Sequence, residues 1–173
     1  MVLGGTRSGK SGHAEGLLPA DAPVRYAATA RCVPGDAEWD ARIAAHRARR
    51  PDGWTTLEDP DLPALLRATG PTDAPLLVDD LATWLTGVLD DADAWEAPSV
   101  PAAVAARTAE LVEAVAACAG VVVLVSAEVG LGVVPATRAG RLFRDELGAL
   151  NAALAAACDE VLLLVAGLPL RLK

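Results

Sequence analysis

The 173-residue sequence lacks a surplus of basic residues, a long apolar run and any paired cysteine motif. Its 23 acidic residues outnumber 15 basic ones, which gives a net charge of -8. This balance argues against a general nucleic-acid surface, because phosphate backbones need basic patches. The longest uncharged stretch near the middle, Ala114 to Ala127, is shorter than the roughly 20 residues of a membrane-spanning helix. No charged-then-apolar signal peptide opens the sequence, so we expect a cytoplasmic protein without a transmembrane segment.

The cysteines exclude two further classes of protein. Cys32, Cys118 and Cys158 are odd in number and form no C-x-x-C pair. This pattern predicts buried or reduced thiols rather than a disulfide framework or a zinc site. The apolar fraction of 53% argues against disorder, and the length suits a single domain over residues 1–173.

The sequence does contain a complete phosphate-binding loop at residues 4–11. Its residues are Gly4, Gly5, Thr6, Arg7, Ser8, Gly9, Lys10 and Ser11, which match G-x-x-x-x-G-K-[ST] at every fixed position. Successive backbone N–H groups can turn around a polyphosphate, Lys10 can reach the β- and γ-phosphates, and the Ser11 hydroxyl can ligate Mg²⁺. The motif requires a preceding strand, for which only Val2-Leu3 is available, and a following helix, which we predict over 10–18. These residues predict a site for a nucleoside triphosphate.

Apolar runs and helical patterns alternate along the rest of the chain. The strands are predicted at 24–28, 76–79, 121–126 and 161–165, and the helices at 36–50, 99–118 and 138–157. Ser99 is the predicted N-cap of its helix, with Pro101 in the first turn. This order predicts an α/β fold, a mostly parallel sheet with helices on both faces. Ligands bind such sheets at the carboxyl ends of the strands.

Asp79 stands at the end of one predicted strand. A carboxylate in this position is the expected partner of a phosphate loop, holding Mg²⁺ directly or through water. The alternative is a solvated strand end or a helix N-cap. Asp80 is the neighbouring candidate, but strand alternation directs it to the other face.

The segment 36–51 predicts a basic helix with one histidine, His46. Within an acidic protein it carries a local cluster of Arg42, Arg47, Arg49 and Arg50. Neighbouring positive charge favours the neutral imidazole, which can act as a nucleophile. The arginines could neutralise a triphosphate and stabilise a departing pyrophosphate. The alternative is an exposed basic helix end with an incidental histidine.

Two weaker signals complete the pattern. The loop 128–135, EVGLGVVP, follows a predicted strand and contains two glycines and a proline, so we expect a shaped loop at the ligand edge. Its Glu128 could contact substrate or metal. His13, the other histidine, is expected on the surface of the first helix.

Together these motifs resemble the adenosylcobinamide kinase/adenosylcobinamide-phosphate guanylyltransferase family of cobalamin biosynthesis. The resemblance extends over essentially the whole chain, and its most specific parts are the arginine–histidine segment and the loop 128–135. It includes GGTRSGKS followed by HAE, YAATA at 26–30, RIAAHR at 42–47, LVD at 77–79 and GLP at 167–169. Three features depart from the family pattern: the short first strand, Ala127 in place of a usual Asn, and Ala152 in place of a frequent Gln.

The resemblance implies a three-layer RecA-like phosphate-loop NTPase fold and a homotrimer. It implies an enzyme that phosphorylates the aminopropanol hydroxyl of adenosylcobinamide with ATP or GTP, then transfers GMP from GTP to give adenosylcobinamide-GDP. A covalent GMP intermediate falls on His46, with Lys10 and Asp79 as the other catalytic residues. Ser11 and Asp79 would hold Mg²⁺. The implied nucleotide contacts are the phosphate loop with Ala28, Thr29, Ala30, Arg47, Ala48, Arg49, Arg50, Glu58 and Asp79.

Two rival hypotheses remain. One is a phosphate-loop kinase for another small alcohol, without a covalent intermediate. The other is a regulatory nucleotide-binding switch, although the sequence lacks the N-K-x-D motif of a GTPase switch.

Overall fold

A computed structural model of the chain describes residues 1–31, 35, 41, 44, 47–48 and 50–173. Its strands are β1 (Val2–Gly4), β2 (Val24–Ala28), β3 (Trp54–Glu58), β4 (Leu76–Asp79), β5 (Val122–Ala127), β6 (Leu162–Val165) and β7 (Leu168–Arg171). Its helices are α1 (Lys10–Gly16), α2 (Leu62–Arg67), α3 (Leu81–Asp91), α4 (Ala102–Ala117) and α5 (Arg138–Ala157). The described residues at 41, 44, 47 and 48 are also helical, within the segment predicted as the basic helix.

The strands form one seven-stranded sheet in the order β3-β2-β4-β5-β1-β6-β7. All neighbouring pairs are parallel except β6 and β7, which are antiparallel. The short strand β1 lies inside the sheet, where Val2 is opposite Val125 on one side and Leu162 on the other. Pairing on both sides and complete burial of Val2 explain why three residues suffice for a strand here.

Helices cover both faces of the sheet, so the predicted α/β layering is confirmed. One face packs against α1 through a cluster that includes Ala14, Tyr26 and Val125. The other face packs against α2, α3, α4 and α5, whose buried leucines include Leu85 and Leu111. None of the described helices is long and apolar enough to cross a membrane.

Several local predictions were wrong or incomplete. Ser99 does not cap α4: the helix begins at Ala102, and Pro101 is its N-cap residue in an extended conformation, with no side-chain cap. Proline fixes its own φ and keeps the residue before it out of the α region, which explains the later start. Strands β3 and β7 and helices α2 and α3 were not predicted. Cys118 and Cys158 are half-buried free thiols, and Cys32 lies outside the described residues.

A buried polar contact fixes the carboxyl end of β5 to α5. The Ser126 hydroxyl donates to Asn151 Oδ1 at 2.7 Å, and Asn151 Nδ2 donates to the Ala127 carbonyl at 3.0 Å. Asn151 is 5% exposed and Ser126 is fully buried. Buried polar groups are costly unless paired, so this contact holds the end of β5, where the loop 128–135 begins, in one position.

Removal of the Asn151 side chain should destabilise the protein by an amount that depends on whether the Ser126 hydroxyl is present. Asn151→Ala should lower the free energy of unfolding by about 1–3 kcal/mol, because the Ser126 hydroxyl and the Ala127 carbonyl lose their partner. The double variant Ser126→Ala/Asn151→Ala should lose less than the sum of the single variants, because it buries fewer unpaired groups. Urea unfolding of the four proteins measures this, and strict additivity would contradict it.

Candidate active site

The parallel register brings the ends of five strands to one edge of the sheet. Ala28, the last residue of β2, is opposite both Glu58 of β3 and Asp79 of β4. Gly4, the last residue of β1, is opposite Ala127 of β5. The predicted phosphate loop and the predicted carboxylate therefore share one edge, as expected for an open α/β sheet.

The phosphate loop leaves β1 at Gly4 and enters α1 at Lys10. Gly9 has a φ of 87°, and Arg7 a φ of 57°, so the backbone turns twice through the left-handed region. A Cβ atom on Gly4 would lie 2.3 Å from the Ser8 hydroxyl oxygen, so a side chain there would displace the loop. The Ser8 backbone N–H donates to the Gly5 carbonyl at 3.2 Å, which closes the turn. The backbone is thus shaped as a phosphate cradle.

Two oxygen-bearing side chains, Ser11 and Asp79, meet at the start of α1. The Ser11 hydroxyl donates to Asp79 Oδ1 at 3.1 Å. A hydroxyl and a carboxylate are hard oxygen donors of the kind that Mg²⁺ prefers, so this pair fits the ion. The described residues contain no group of three or more His, Cys, Asp or Glu that could hold a metal.

Asp80 has a different task from Asp79. Its carboxylate accepts the Thr83 backbone N–H at 2.8 Å and so caps the first turn of α3. Burial is the main cause that raises the pKa of Asp80, and the hydrogen bonds from Thr83 oppose it. The N-cap role considered for Asp79 therefore falls to its neighbour.

Tyr26, for which the sequence suggested no role, contacts the same carboxylate. Its hydroxyl donates to Asp79 Oδ2 at 2.5 Å, and the ring is 1% exposed. Burial, and then the neighbouring Asp79 charge, raise the pKa of Tyr26, so the phenol is protonated and can donate. The Arg50 guanidinium lies 3.6 Å from the ring centroid and donates to Thr56 Oγ1 at 2.8 Å.

These groups line a cleft of about 480 Å³. Its walls are residues 6–12 with Tyr26, Ala28, Ala30, Arg50, Glu58, Asp79, Asp80, Thr83 and Ala127. Glu58 also forms an ion pair with Arg47, and both side chains are exposed. Lys10 Nζ lies 3.5 Å from the Gly5 carbonyl, inside the loop. The cleft therefore combines a phosphate cradle, a candidate cation site and the end of the basic segment.

Not every predicted site residue lies in the cleft. Thr29 is 2% exposed, and its hydroxyl donates to the Asp80 carbonyl at 2.6 Å. Its side chain therefore contacts the backbone after β4 and does not line the cleft. Ala48 is exposed. His46 and Arg49 lie outside the described residues.

The remaining sequence signals have local explanations. The Glu128 carboxylate accepts the Gly130 backbone N–H at 2.7 Å and so shapes its own loop. His13 was expected on the surface, but it is half-buried and its Nε2 is shielded without a hydrogen-bond partner among the described residues. Of the two alanines that depart from the family pattern, Ala127 lines the cleft and Ala152 is exposed.

The mostly parallel sheet, with a phosphate-loop motif lining the cleft at its edge, is consistent with the fold of phosphate-loop NTPases. The family model for cobinamide kinase / cobinamide phosphate guanyltransferase matches residues 1–172, and the chain belongs to this family. It is 44% identical to the bifunctional adenosylcobalamin biosynthesis protein CobP of Pseudomonas aeruginosa, over all of this chain and 96% of that protein. It is 39% identical to the bifunctional adenosylcobalamin biosynthesis protein CobU of Escherichia coli, over all of this chain and 98% of that protein. The predicted enzyme class, a bifunctional kinase and guanylyltransferase, is confirmed.

Removal of the loop lysine should impair both activities. Lys10→Ala removes the charge expected on the β- and γ-phosphates, a contribution of about 3 kcal/mol, so both rates should fall at least about a hundredfold. Lys173→Ala is the matched control, because Lys173 Nζ contacts carbonyls at the end of α5. It should retain both activities. A near-normal rate of either reaction in Lys10→Ala would indicate a second nucleotide site.

The two neighbouring aspartates should respond differently to the same change. Asp79→Asn removes the charge beside Ser11 and should abolish turnover with the fold intact. Asp80→Asn keeps an N-cap side chain of similar strength and should retain activity. Activity assays measure the turnover of each variant, and circular dichroism measures whether each variant is folded. An active Asp79→Asn beside an inactive Asp80→Asn would mean that the metal carboxylate is Asp80.

Proposed function

We propose that the chain phosphorylates the aminopropanol hydroxyl of adenosylcobinamide and then transfers GMP from GTP onto that phosphate. The product is adenosylcobinamide-GDP. The observation that carries the proposal is the single cleft in which the phosphate loop, Asp79 and Arg50 come together. Membership of the family supplies the substrate class.

In the kinase step the loop would hold a nucleoside triphosphate, ATP or GTP. The backbone N–H groups of residues 5–10 and the Lys10 ammonium would bind its phosphates, so that the substrate hydroxyl attacks the γ-phosphorus directly. Ser11 and Asp79 would hold Mg²⁺. The ion supplies charge neutralisation on the phosphates when it is bound.

In the guanylyl step we assign the nucleophile to His46. Its imidazole attacks the α-phosphorus of GTP and pyrophosphate leaves; the phosphate of adenosylcobinamide phosphate then displaces the histidine. His46 itself lies outside the described residues. Support comes from the neighbouring arginines: Arg47, which follows it in sequence, pairs with Glu58 of the cleft, and Arg50 lines the cleft.

Arg50 is placed to stabilise phosphate charge. The guanidinium lines the cleft, and its planar set of N–H donors suits an anionic ligand. We assign the guanidinium to the triphosphate or the departing pyrophosphate.

The rival functions have no use for a histidine in the basic segment. A simple kinase or a nucleotide switch needs the phosphate loop and Asp79, and it can use an arginine to stabilise phosphate charge. The covalent nucleotide expected on His46 therefore separates the two-step enzyme from both rivals.

We also propose that the protein assembles with itself, as a trimer by family resemblance. The edge strand β7 is exposed along its length, with Leu168 72% and Leu170 56% exposed. Apolar side chains on an unpaired sheet edge are typical of an interaction surface. Light scattering on the purified protein would measure the mass of the assembly.

His46→Asn should separate the two activities. It removes the nucleophile, so guanylylation of the protein and formation of adenosylcobinamide-GDP should stop, whereas phosphorylation of adenosylcobinamide remains measurable. The variants are incubated with Mg²⁺ and α-labelled GTP, denatured, and counted for retained label.

His13→Asn is the matched control for this experiment. It changes the other histidine and should retain the label. The wild-type adduct, a phosphoramidate, should be labile in acid and survive alkali. Label on His46→Asn but not on His13→Asn would assign the nucleophile to His13.

A further inference from the structure

The carboxylate of Asp79 is held from two directions by neutral hydroxyl groups. The Ser11 hydroxyl donates to Oδ1 at 3.1 Å, and the Tyr26 hydroxyl donates to Oδ2 at 2.5 Å. Each oxygen of the carboxylate thus has its own donor, from a different element of the fold. This arrangement fixes which oxygen faces the start of α1.

Tyr26 is itself firmly placed. It lies on β2, directly beside β4, where Tyr26 is opposite Leu77 two residues before Asp79. Trp54 packs against its ring with a centroid separation of 6.4 Å, and Arg50 covers the ring at 3.6 Å. A side chain fixed by packing on both sides can orient the group to which it donates.

The hydroxyl is not needed to fill space. Tyr26 belongs to the apolar cluster beneath α1 and is 1% exposed. A phenylalanine would fill the same volume, and a phenol buried among apolar residues costs free energy unless its hydroxyl is paired. The hydroxyl therefore needs an explanation beyond packing, and its contact with Asp79 supplies one.

We propose that Tyr26 is a positioning residue that acts through Asp79: its hydroxyl occupies Oδ2 and so presents Oδ1 to the Mg²⁺ that accompanies the nucleotide. This inference rests on the proposed role of Ser11 and Asp79 as ligands of that ion. Without the hydroxyl, the carboxylate loses the donor that holds Oδ2, and the fraction with Oδ1 correctly placed falls. The expected consequence is weaker cooperation between Mg²⁺ and nucleotide.

The test compares nucleotide binding with and without Mg²⁺, so it needs no turnover. The probe is a GTP analogue with an imido bridge between the β- and γ-phosphorus, titrated by calorimetry in excess Mg²⁺ and in EDTA. The dissociation constant in EDTA divided by the dissociation constant in excess Mg²⁺ measures the cooperation between Mg²⁺ and the nucleotide. Tyr26→Phe should lower this ratio by about tenfold, the lower end of the range found when a group that orients a metal ligand is removed. Its affinity in EDTA should equal that of the wild type.

Two further variants decide how Tyr26 acts. Trp54→Phe keeps an aromatic ring against Tyr26 and leaves the Tyr26 hydroxyl in place, so it should lower the ratio less than Tyr26→Phe does. In an Asp79→Ala background, Tyr26→Phe should make no further difference to the ratio, because its effect passes through the missing carboxylate. Thermal unfolding of each variant confirms that the protein tested is folded.

The overturning results are equally definite. The inference is rejected if Tyr26→Phe has a wild-type or larger ratio, or if its affinity falls equally in EDTA. It is also rejected if Trp54→Phe lowers the ratio as much as Tyr26→Phe does, or if the wild type shows no Mg²⁺ cooperation. The proposed function fails separately. A wild-type protein that neither phosphorylates adenosylcobinamide nor retains GMP label would reject that function, whatever the binding ratio.

Discussion

The candidate site depends on the pairing of one short internal strand, β1. Val2–Gly4 is bonded to β5 on one side and β6 on the other, and its last residue begins the phosphate loop. The Gly4 carbonyl also accepts the Glu128 backbone N–H at 3.0 Å, so the loop after β5 is fixed to the same residue. Because β1 is paired on both sides, the first residue of the cradle has little freedom to move before a nucleotide arrives.

The second constraint is the carboxylate of Asp79, where three parts of the molecule meet. Ser11 contacts it from the phosphate loop, and Tyr26 contacts it from the neighbouring strand. The Arg50 guanidinium, at the end of the basic segment, packs over the Tyr26 ring. A continuous set of contacts therefore joins the phosphate cradle to the arginines assigned to the guanylyl step. The proposed use of one cleft for two phosphate-transfer reactions requires such continuity.

The parts of the site that the sequence predicted share a strong local signal. The phosphate loop is recognisable from fixed residue types at fixed spacing, and Asp79 from its place at the end of an apolar strand. Tyr26 has no such signal, because a tyrosine in an apolar strand is equally typical of a core, and only the β2–β4 register shows its partner. Strand β3, with its two threonines, lacks the apolar run of a buried parallel strand because it lies at the edge of the sheet. The Ser99 cap was wrong because the nearby Pro101 delays the helix, a competition between local preferences that the sequence does not decide.

The central claim is that one nucleotide cleft serves both reactions, and inhibition by a single compound tests it most directly. The imido analogue of GTP is added to the kinase assay and to the guanylylation assay, under the same Mg²⁺ concentration and with the competing nucleotide varied. One shared cleft predicts competitive inhibition of both reactions with the same inhibition constant. Two different constants, or competition in only one of the reactions, would contradict the claim.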